Sequence, residues 1–236
     1  MQDTAWLTSR AIAHRGLHDM NRQRWENTLS AFAAAVERGY AIECDVHRAA
    51  DGVPVVFHDE ELKRLTGREG RVWQHTAAEL TGLSVGGTED HIPSLSEMLA
   101  LVDGRVPVIV ELKGVAGHDQ GLAEGVLECL ADYPGETALM SFDHWILRDL
   151  DRLGGNLPIG LTAHGRSMAD MEAHFSMLAH GISFASYCVD DLPNPFVSFL
   201  RERLSIPVIT WTVRNEAGVE RTFRYADQMT FEGFSP

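Results

Sequence analysis

Residues 41–58 read AIECDVHRAADGVPVVFH, and this stretch decides the fold that we predict. Apolar and polar residues alternate on both sides of Asp51-Gly52, which predicts two strands, and Asp-Gly between two strands is typical of a two-residue hairpin turn. The two strands are therefore expected to be antiparallel. Counting outward from the turn places Asp45 opposite His58, although a bulge would shift this pairing by one residue.

The rest of the chain alternates short β-rich apolar runs with segments of helical periodicity, a pattern typical of βα units around a parallel sheet. The apolar runs are residues 11–14, 41–47, 53–58, 106–112, 137–142, 158–162, 182–187, 207–213 and 228–231. Because the third run only returns from the hairpin, eight of these nine runs can all be parallel. The sequence therefore predicts an α/β fold, a TIM (β/α)8 barrel, with the hairpin following its second strand.

Predicted helices fill most of the intervals between the strands. They cover residues 28–38, 95–102, 119–131, 144–153, 168–174, 195–203 and 216–225. Asn27 is expected to cap the first helix, and Ser94 with Glu97 is expected to form a capping box at the second. Residues 59–93 are too long and too rich in Gly and Thr for a simple connection, so we predict a small insertion that covers one end of the barrel. We expect residues 1–236 to form a single domain.

Composition and charge argue against several kinds of partner and site. The 236 residues include 34 acidic and 20 basic side chains, for a formal net charge of −14. This charge disfavours nucleic acid and anionic lipid as partners, and an anionic substrate would need a local group of cations. The three cysteines are widely spaced, which argues against a disulfide scaffold or a thiolate zinc site.

The chain shows no pattern typical of export or of membrane insertion. Its first sixteen residues lack a basic segment followed by an apolar run, and no stretch approaches the ~20 apolar residues of a membrane span. We therefore expect a cytoplasmic protein with no stable membrane association. The oligomeric state is left open.

Charged residues crowd the carboxyl ends of the first predicted strands, where TIM barrels carry their chemistry. These residues are His14, Arg15, Glu43, Asp45, His58, Glu111 and Lys113. Residues two apart on a strand share a face, so Glu43, Asp45 and Glu111 converge if that face is the barrel interior. Three close carboxylates require a cation, and oxygen ligands favour Mg²⁺, Ca²⁺ or Mn²⁺.

Two histidines, His14 and His58, flank the expected cation, and Arg15 and Lys113 can hold an anion beside it. Two titratable imidazoles at an anion site suit general acid/base cleavage of a phosphodiester. Alternatives remain at this point, because Arg15 and Lys113 can also simply neutralise the carboxylates. Glu43 and Asp45 can likewise be salt-bridge partners at the barrel rim.

Several motifs occur along the chain in a fixed order. They are AHRG at 13–16, ENTLSAF at 26–32, ECDV at 43–46, ADGVPVVFHDEEL at 50–62, IPSL at 92–95 and VELK at 110–113. In this order and spacing the sequence resembles the glycerophosphodiester phosphodiesterase family. Weaker matches, MSF at 140–142 and WTV at 211–213, extend the resemblance over nearly the whole chain.

The resemblance implies a TIM barrel that hydrolyses glycerophosphodiesters to sn-glycerol 3-phosphate and an alcohol, with one divalent cation: Mg²⁺ or Ca²⁺, or alternatively Mn²⁺. It also implies roles for individual residues. These are His14 and His58 as the acid/base pair, Glu43, Asp45 and Glu111 as metal ligands, and Arg15 and Lys113 as phosphate contacts. We expect His14 to be the base and His58 the acid.

Further residues are expected to shape or support the site. Trp211 is expected to line the substrate pocket, although a core position is nearly as consistent with its place at a strand end. Glu26 and Asn27 are expected to support the ligands through hydrogen bonds, and direct metal contact by Glu26 is left open. The other nine histidines, including His18 and His47, are expected to be surface or packing residues.

The sequence departs from the family pattern at two places. Trp25 stands where the family usually has Pro, and the last strand reads DQMTFE at 227–232. These departures concern alcohol specificity rather than the metal and phosphate residues.

Two other functions stay open: a phospholipase D-type hydrolase of lysophospholipids, which needs an apolar groove, and a catalytically silent phosphate-binding barrel.

Overall fold

A computed structural model describes residues 4–236. Residues 1–3 belong to the segment that is expected to lack an export signal, and they lie outside the described residues. Nine strands form one sheet within residues 4–236. They are β1 (Ile12–Ala13), β2 (Ala41–Arg48), β3 (Pro54–Val56), β4 (Val108–Leu112), β5 (Thr137–Ser141), β6 (Ile159–Ala163), β7 (Phe184–Cys188), β8 (Val208–Val213) and β9 (Gln228–Phe231).

The sheet closes on itself. Its order is β1-β9-β8-β7-β6-β5-β4-β2-β3, and β1 also pairs with β2. Every pairing in the closed ring is parallel, and β3 alone is antiparallel to its neighbour β2. The predicted eight-stranded TIM barrel, with β3 as the hairpin return, is therefore confirmed.

Helices connect the barrel strands close to the predicted positions. They are α1 (Leu29–Arg38), α2 (Lys63–Thr66), α3 (Ala77–Thr81), α4 (Leu95–Val102), α5 (Leu122–Leu130), α6 (His144–Leu153), α7 (Met168–Ser176), α8 (Pro195–Phe199) and α9 (Glu216–Tyr225). The helix predicted over 195–203 changes after Phe199 into a π-helical turn. No helix within residues 4–236 is both long enough and apolar enough to cross a membrane.

The hairpin between β2 and β3 has a three-residue loop, so the predicted two-residue turn is wrong. Val46 lies opposite Val56, and the Ala49 N–H donates to the Val53 carbonyl at 3.0 Å. Gly52 ends the loop with φ +90°, a left-handed conformation common at this position of three-residue hairpins. The register is consequently shifted by one residue, and Asp45 lies opposite Phe57 instead of His58.

The cap of α1 also differs from the prediction. The Thr28 hydroxyl, rather than the Asn27 side chain, accepts a hydrogen bond from the Ala31 N–H. Asn27 has a left-handed φ of +55°, and its side chain bonds to Asp45 instead. The capping box of Ser94 and Glu97 at α4 is confirmed.

Residues 59–93 contain α2, α3 and a 3-10 turn (Val72–Gln74). Their apolar side chains pack against the hairpin in a cluster of their own. Its buried members are Ala49, Val55, Phe57, Leu62, Leu65, Val72, Ala77, Leu80, Val85 and Ile92. Trp25 packs against this cluster and lies over Gly86, where an added Cβ would be 2.0 Å from the indole ring. The first loop of the barrel therefore rests on the insertion.

The barrel interior is filled by one apolar cluster near the amino ends of the strands. Its buried members are Leu7, Ile12, Ala41, Ile109, Ala138, Met140, Phe184 and Ile209. Alternate residues of a strand face the same way, so the face of β2 that carries Ala41 also carries Glu43 and Asp45. For the same reason Glu111 follows Ile109 on β4. The apolar floor thus gives way to charged side chains toward the carboxyl end.

Candidate active site

Three carboxylates meet inside the carboxyl end of the barrel. Glu43 and Asp45 are each 2% exposed and Glu111 is 5% exposed. One oxygen atom of each carboxylate lies within 4.8 Å of one oxygen of the other two. The parallel register of β2 and β4 sets Asp45 directly beside Glu111. The structure therefore brings together the three residues that the strand pattern predicts to converge.

The electrostatics of this group favour a cation. Burial raises the pKa of Glu43 well above its usual range, and the charges of Asp45 and Glu111 raise it further. Burial also raises the pKa of Glu111. The pKa of Asp45 is lowered in spite of its burial, because Lys113 and Arg15 lie close to it. Three buried oxygen donors with unfavourable mutual repulsion form a donor set that fits a hard divalent cation.

Arg15 and Lys113 form ion pairs with the buried carboxylates. The Arg15 Nε atom is 3.1 Å from Asp45 Oδ2, and its Nη1 atom is 2.7 Å from Glu26 Oε1. The Lys113 ammonium lies 2.8 Å from Asp45 Oδ1 and also contacts Glu111. In this state of the protein both cations offset carboxylate charge, which is one of the two roles left open by the sequence.

His14 follows β1 and is held by an acid from the neighbouring strand. Its Nδ1 atom lies 2.5 Å from Oε2 of Glu232, the residue after β9. Its Nε2 atom faces the opposite way, 4.0 Å from Glu43 Oε2. Burial lowers the pKa of His14, and the hydrogen bond to Glu232 opposes this shift.

His58 is held in a similar way by the residue that follows it. Its Nδ1 atom lies 2.7 Å from Asp59 Oδ1, and a third of its side chain is exposed. Burial alone would raise the pKa of Asp59, but hydrogen bonds from Arg64 and His58 outweigh it and lower the pKa. Both imidazoles thus offer Nδ1 to a carboxylate and leave Nε2 for other contacts.

Arg64 of α2 bridges two carboxylates, one bonded to His58 and one bonded to Arg15. Its guanidinium contacts Asp59 at 2.6 and 2.7 Å and Glu26 at 2.8 and 3.0 Å. Glu26 also accepts from Arg15 and from the Asn21 amide at 2.5 Å. Burial raises the pKa of Glu26, but Arg64 and Arg15 outweigh it and bring the pKa to about 2.

Glu26 and Asn27 contact neighbours of the three-carboxylate cluster or its members, but they are not part of the cluster. Among residues 4–236, the oxygen cluster that could hold a metal is formed by Glu43, Asp45 and Glu111 without Glu26. The Asn27 amide donates to Asp45 Oδ2 at 2.9 Å. Asn27 thus bonds directly to a carboxylate of this cluster, whereas Glu26 reaches the cluster only through Arg15.

A cavity of about 160 Å³ opens above the carboxylates. The residues already described line one side. The other side is formed by Met140, Phe142, Ser186, Trp211, Thr212, Arg214 and Thr230. Trp211 donates from Nε1 to the Ser186 carbonyl at 3.1 Å, and its ring meets Phe142 edge-on at 5.2 Å. Trp211 thus lines the pocket, as its position at a strand end predicts.

Sequence reasoning missed three residues at this end of the barrel. These are Glu232, which enters the sequence pattern only as part of a departure from the family, Arg214 and His18. His18 is buried, as a packing residue would be, and lies 3.6 Å from Glu232. An available signal was the position of Glu232 and Arg214 directly after β9 and β8, the same position that singled out His14.

The family model described as the glycerophosphoryl diester phosphodiesterase family matches residues 14–234. The chain belongs to this family. A glycerophosphodiester phosphodiesterase of Caldanaerobacter subterraneus subsp. tengcongensis is 36% identical over 223 residues, which cover 90% of this chain and 89% of that protein. The protein is thus a phosphoric diester hydrolase, a phosphodiesterase of the glycerophosphodiester class.

Solved structures of other phosphodiesterases have the same fold. An Oleispira antarctica phosphodiesterase in complex with its product sn-glycerol-3-phosphate has a TM-score of 0.82 and 22% identity, covering 96% of this chain and 94% of that one. A glycerophosphodiester phosphodiesterase from Thermotoga maritima has a TM-score of 0.76 and 25% identity, covering 94% and 93%. These structures therefore share the barrel fold over 94–96% of the chain.

Proposed function

We propose that this phosphodiesterase hydrolyses glycerophosphodiesters to sn-glycerol 3-phosphate and an alcohol, with one divalent cation and with His14 and His58 as the acid/base pair. The observation that carries the proposal is the lining of a single pocket. It holds three buried carboxylates, three cationic side chains and two imidazoles whose Nδ1 atoms are already bonded. This is the set of groups that cleavage of a phosphodiester requires.

Glu43, Asp45 and Glu111 would hold the cation. Their donors are all carboxylate oxygens, which suit Mg²⁺ or Ca²⁺, and also Mn²⁺. When bound, such an ion offsets negative charge at the phosphoryl group and makes a coordinated hydroxyl more acidic. Asn27 and Arg15 support this arrangement, because each is already bonded to a carboxylate of the group.

Arg15 and Lys113 would contact the phosphoryl oxygens. A guanidinium has five N–H donors and an ammonium has three, so each side chain can keep its carboxylate partner and still donate to an anion. Both line the pocket beside His14 and His58. The glycerol phosphate half of the substrate is therefore held by fixed charges.

His14 would act as the base and His58 as the acid. His14 is buried, with Nε2 next to the carboxylate group, where the attacking hydroxyl must lie. His58 is a third exposed, on the side from which an alcohol can leave to solvent. The attacking hydroxyl belongs to water or is the substrate's own 2-hydroxyl. Its oxygen bonds to phosphorus as its proton passes to His14 Nε2, the bond from phosphorus to the alcohol oxygen breaks, and His58 donates a proton to that oxygen. Attack by the 2-hydroxyl gives a cyclic phosphate, which water then opens to sn-glycerol 3-phosphate.

The test is release of sn-glycerol 3-phosphate from glycerophosphocholine by wild-type and variant enzyme. We expect His14→Ala and His58→Ala each to lower kcat by roughly 10²–10⁴-fold. His180→Ala is the matched control, because His180 lies after α7 and before β7, at the amino end of the barrel. A histidine variant with near-wild-type kcat would remove that histidine from the mechanism. Release of choline from lysophosphatidylcholine, with lysophosphatidic acid as the other product, tests the phospholipase D-type alternative.

A further inference from the structure

Glu232 accepts hydrogen bonds from His14 and Arg214 where the barrel closes, and the His18 ring lies close to it. The parallel register pairs Ala13 of β1 with Phe231 of β9, which sets the next residues, His14 and Glu232, side by side. Glu232 is buried, and His14 Nδ1 lies 2.5 Å from its Oε2 atom. Arg214 Nε lies 2.7 Å from Oε1, and His18 Nε2 lies 3.6 Å from Oε2.

This group resembles a metal site, because single ligand atoms of His14, His18 and Glu232 lie within 4.8 Å of one another. The protonation of His18 argues against a metal. The Met20 N–H donates to His18 Nδ1 at 3.2 Å, so that nitrogen supplies the lone pair. The neutral ring therefore carries its proton on Nε2, the buried atom that faces Glu232, and a protonated nitrogen cannot bind a metal.

Glu232 is an ionised acceptor in this environment. Burial raises its pKa, but the hydrogen bond from His14, the nearby His18 ring and the charge of Arg214 outweigh burial, so the pKa lies well below the usual range. An ionised carboxylate can only accept hydrogen bonds. His14 must then carry a proton on Nδ1, and in the neutral ring Nε2 is the free acceptor. That Nε2 atom faces the catalytic pocket.

We propose that Glu232 is a positioning residue that fixes His14 with its proton on Nδ1 and its acceptor Nε2 toward the attacking hydroxyl. This role rests on the proposed function of His14 as the base. When the hydroxyl proton moves to Nε2, the Nδ1 proton stays in the bond to Glu232, whose negative charge offsets the imidazolium. Arg214 and His18 hold Glu232 in place and keep it ionised.

The test uses Glu232→Gln, which is isosteric but uncharged. The Arg214 cation retains the amide oxygen, so the amide nitrogen faces His14 and favours the tautomer with the proton on Nε2. We expect kcat to fall by about 10²-fold or more, while KM changes by less than about threefold. Glu232→Asp, which keeps the charge, should recover part of the loss. Glu37→Gln, the same change at an exposed residue of α1, is the control.

A second readout does not depend on turnover. Spectra of ¹⁵N-histidine-labelled, metal-free protein at about pH 8 report which ring nitrogen carries the proton, since free imidazoles are neutral there. The His14 signals are assigned by their loss in His14→Ala. We expect a proton on Nδ1 in the wild-type protein and on Nε2 in Glu232→Gln.

Several outcomes would contradict the role of Glu232. One is a proton on Nε2 of His14 in the wild-type protein, which decides the matter even if Glu232→Gln does not fold. Unchanged His14 signals in a folded Glu232→Gln variant, or a rise in KM alone, would also overturn it. Absence of wild-type turnover would contradict the proposed function instead, so the two failures are distinguishable.

Discussion

His58 and Asp59 are adjacent in the chain and hydrogen-bonded at 2.7 Å. Because the carboxylate orients the imidazole, the two side chains should act as a unit. We expect Asp59→Asn to lower kcat, and we expect little further loss when it is added to His58→Ala. Steady-state kinetics of the two single variants and the double variant measure this coupling. Fully additive losses would show that Asp59 acts independently of His58.

His47 links the site to the stability of the fold. Burial lowers its pKa to about 4, and the hydrogen bond from Nε2 to the His58 carbonyl at 3.0 Å offsets this only in part. Between about pH 4 and the usual histidine value of 6.5, the unfolded chain binds more protons at this residue than the folded protein. Stability should therefore fall as the pH falls through this window.

His47→Gln removes the titrating group but keeps an N–H donor for the carbonyl. Its free energy of unfolding should therefore decline less than that of the wild type between pH 6.5 and 4. Urea unfolding in the presence of chelator measures the difference without a contribution from metal binding. Equal slopes for the two proteins would contradict burial of a neutral His47.

Residue patterns in the sequence predict most of the charged residues of the catalytic pocket, but not the carboxylate that holds His14. Glu43 and Asp45 share a strand face, and His58 stands beside Asp59, so local spacing is enough to relate them. His14 and Glu232 are 218 positions apart, and they meet because β1 and β9 close the barrel. A contact that depends on closure has no local signature.

At the scale of elements, the insertion contributes a side chain to the site. Arg64 of α2 binds both Asp59 and Glu26, so it couples the insertion to His58 and to Arg15. We expect Arg64→Met to lower kcat and the melting temperature. Arg64→Lys should restore little, because an ammonium cannot bond two carboxylates with the fork geometry of a guanidinium.

Steady-state kinetics and thermal unfolding of these variants check this expectation. Arg68→Met is the control, because Arg68 is an exposed residue of the same insertion. If Arg64→Met and Arg68→Met behave alike, the insertion does not act on the site through Arg64.

Strand and helix positions follow closely from periodicity, whereas details of their ends do not. Asp-Gly at 51–52 is compatible with a two-residue turn and with a three-residue loop that ends in a left-handed glycine. The structure has the second, which shifts the register by one residue. Asn27 and Thr28 are both residue types that cap helices, and only the path of the chain into α1 decides that Thr28 does so.

At the scale of the whole molecule, two cations of the pocket follow β1 and β4, whereas its aromatic side chains belong to β8 and the end of β5. The third cation, Arg214, is already paired with a carboxylate. Arg15 and Lys113 would hold the phosphate, while Phe142 and Trp211 offer mainly shape. We expect the glycerol phosphate half to be recognised strictly and the alcohol half loosely. Apolar contacts discriminate by only ~1–3 kcal/mol, so related alcohols should differ by about 10- to 200-fold in kcat/KM.

Choline, ethanolamine, glycerol and inositol diesters of glycerol phosphate provide the comparison. A preference above about 10⁴-fold for one of them exceeds what apolar contacts supply and would require a dedicated polar pocket.

The protein has a formal net charge of −14, and three of its carboxylates are buried together at one point of the barrel. A cation that binds only the folded state would relieve this repulsion and stabilise the fold. Glu43→Gln and Asp45→Asn should therefore need more metal than the wild type to reach the same melting temperature. Such shifts would show that the cation stabilises the fold through these carboxylates.

The most direct measurement is turnover of glycerophosphocholine by enzyme stripped of metal with a chelator. We expect sn-glycerol 3-phosphate release to stop on chelation and to return when Mg²⁺, Ca²⁺ or Mn²⁺ is added back, with a parallel rise in melting temperature. Undiminished turnover by the metal-free enzyme would contradict the assignment of Glu43, Asp45 and Glu111 as metal ligands.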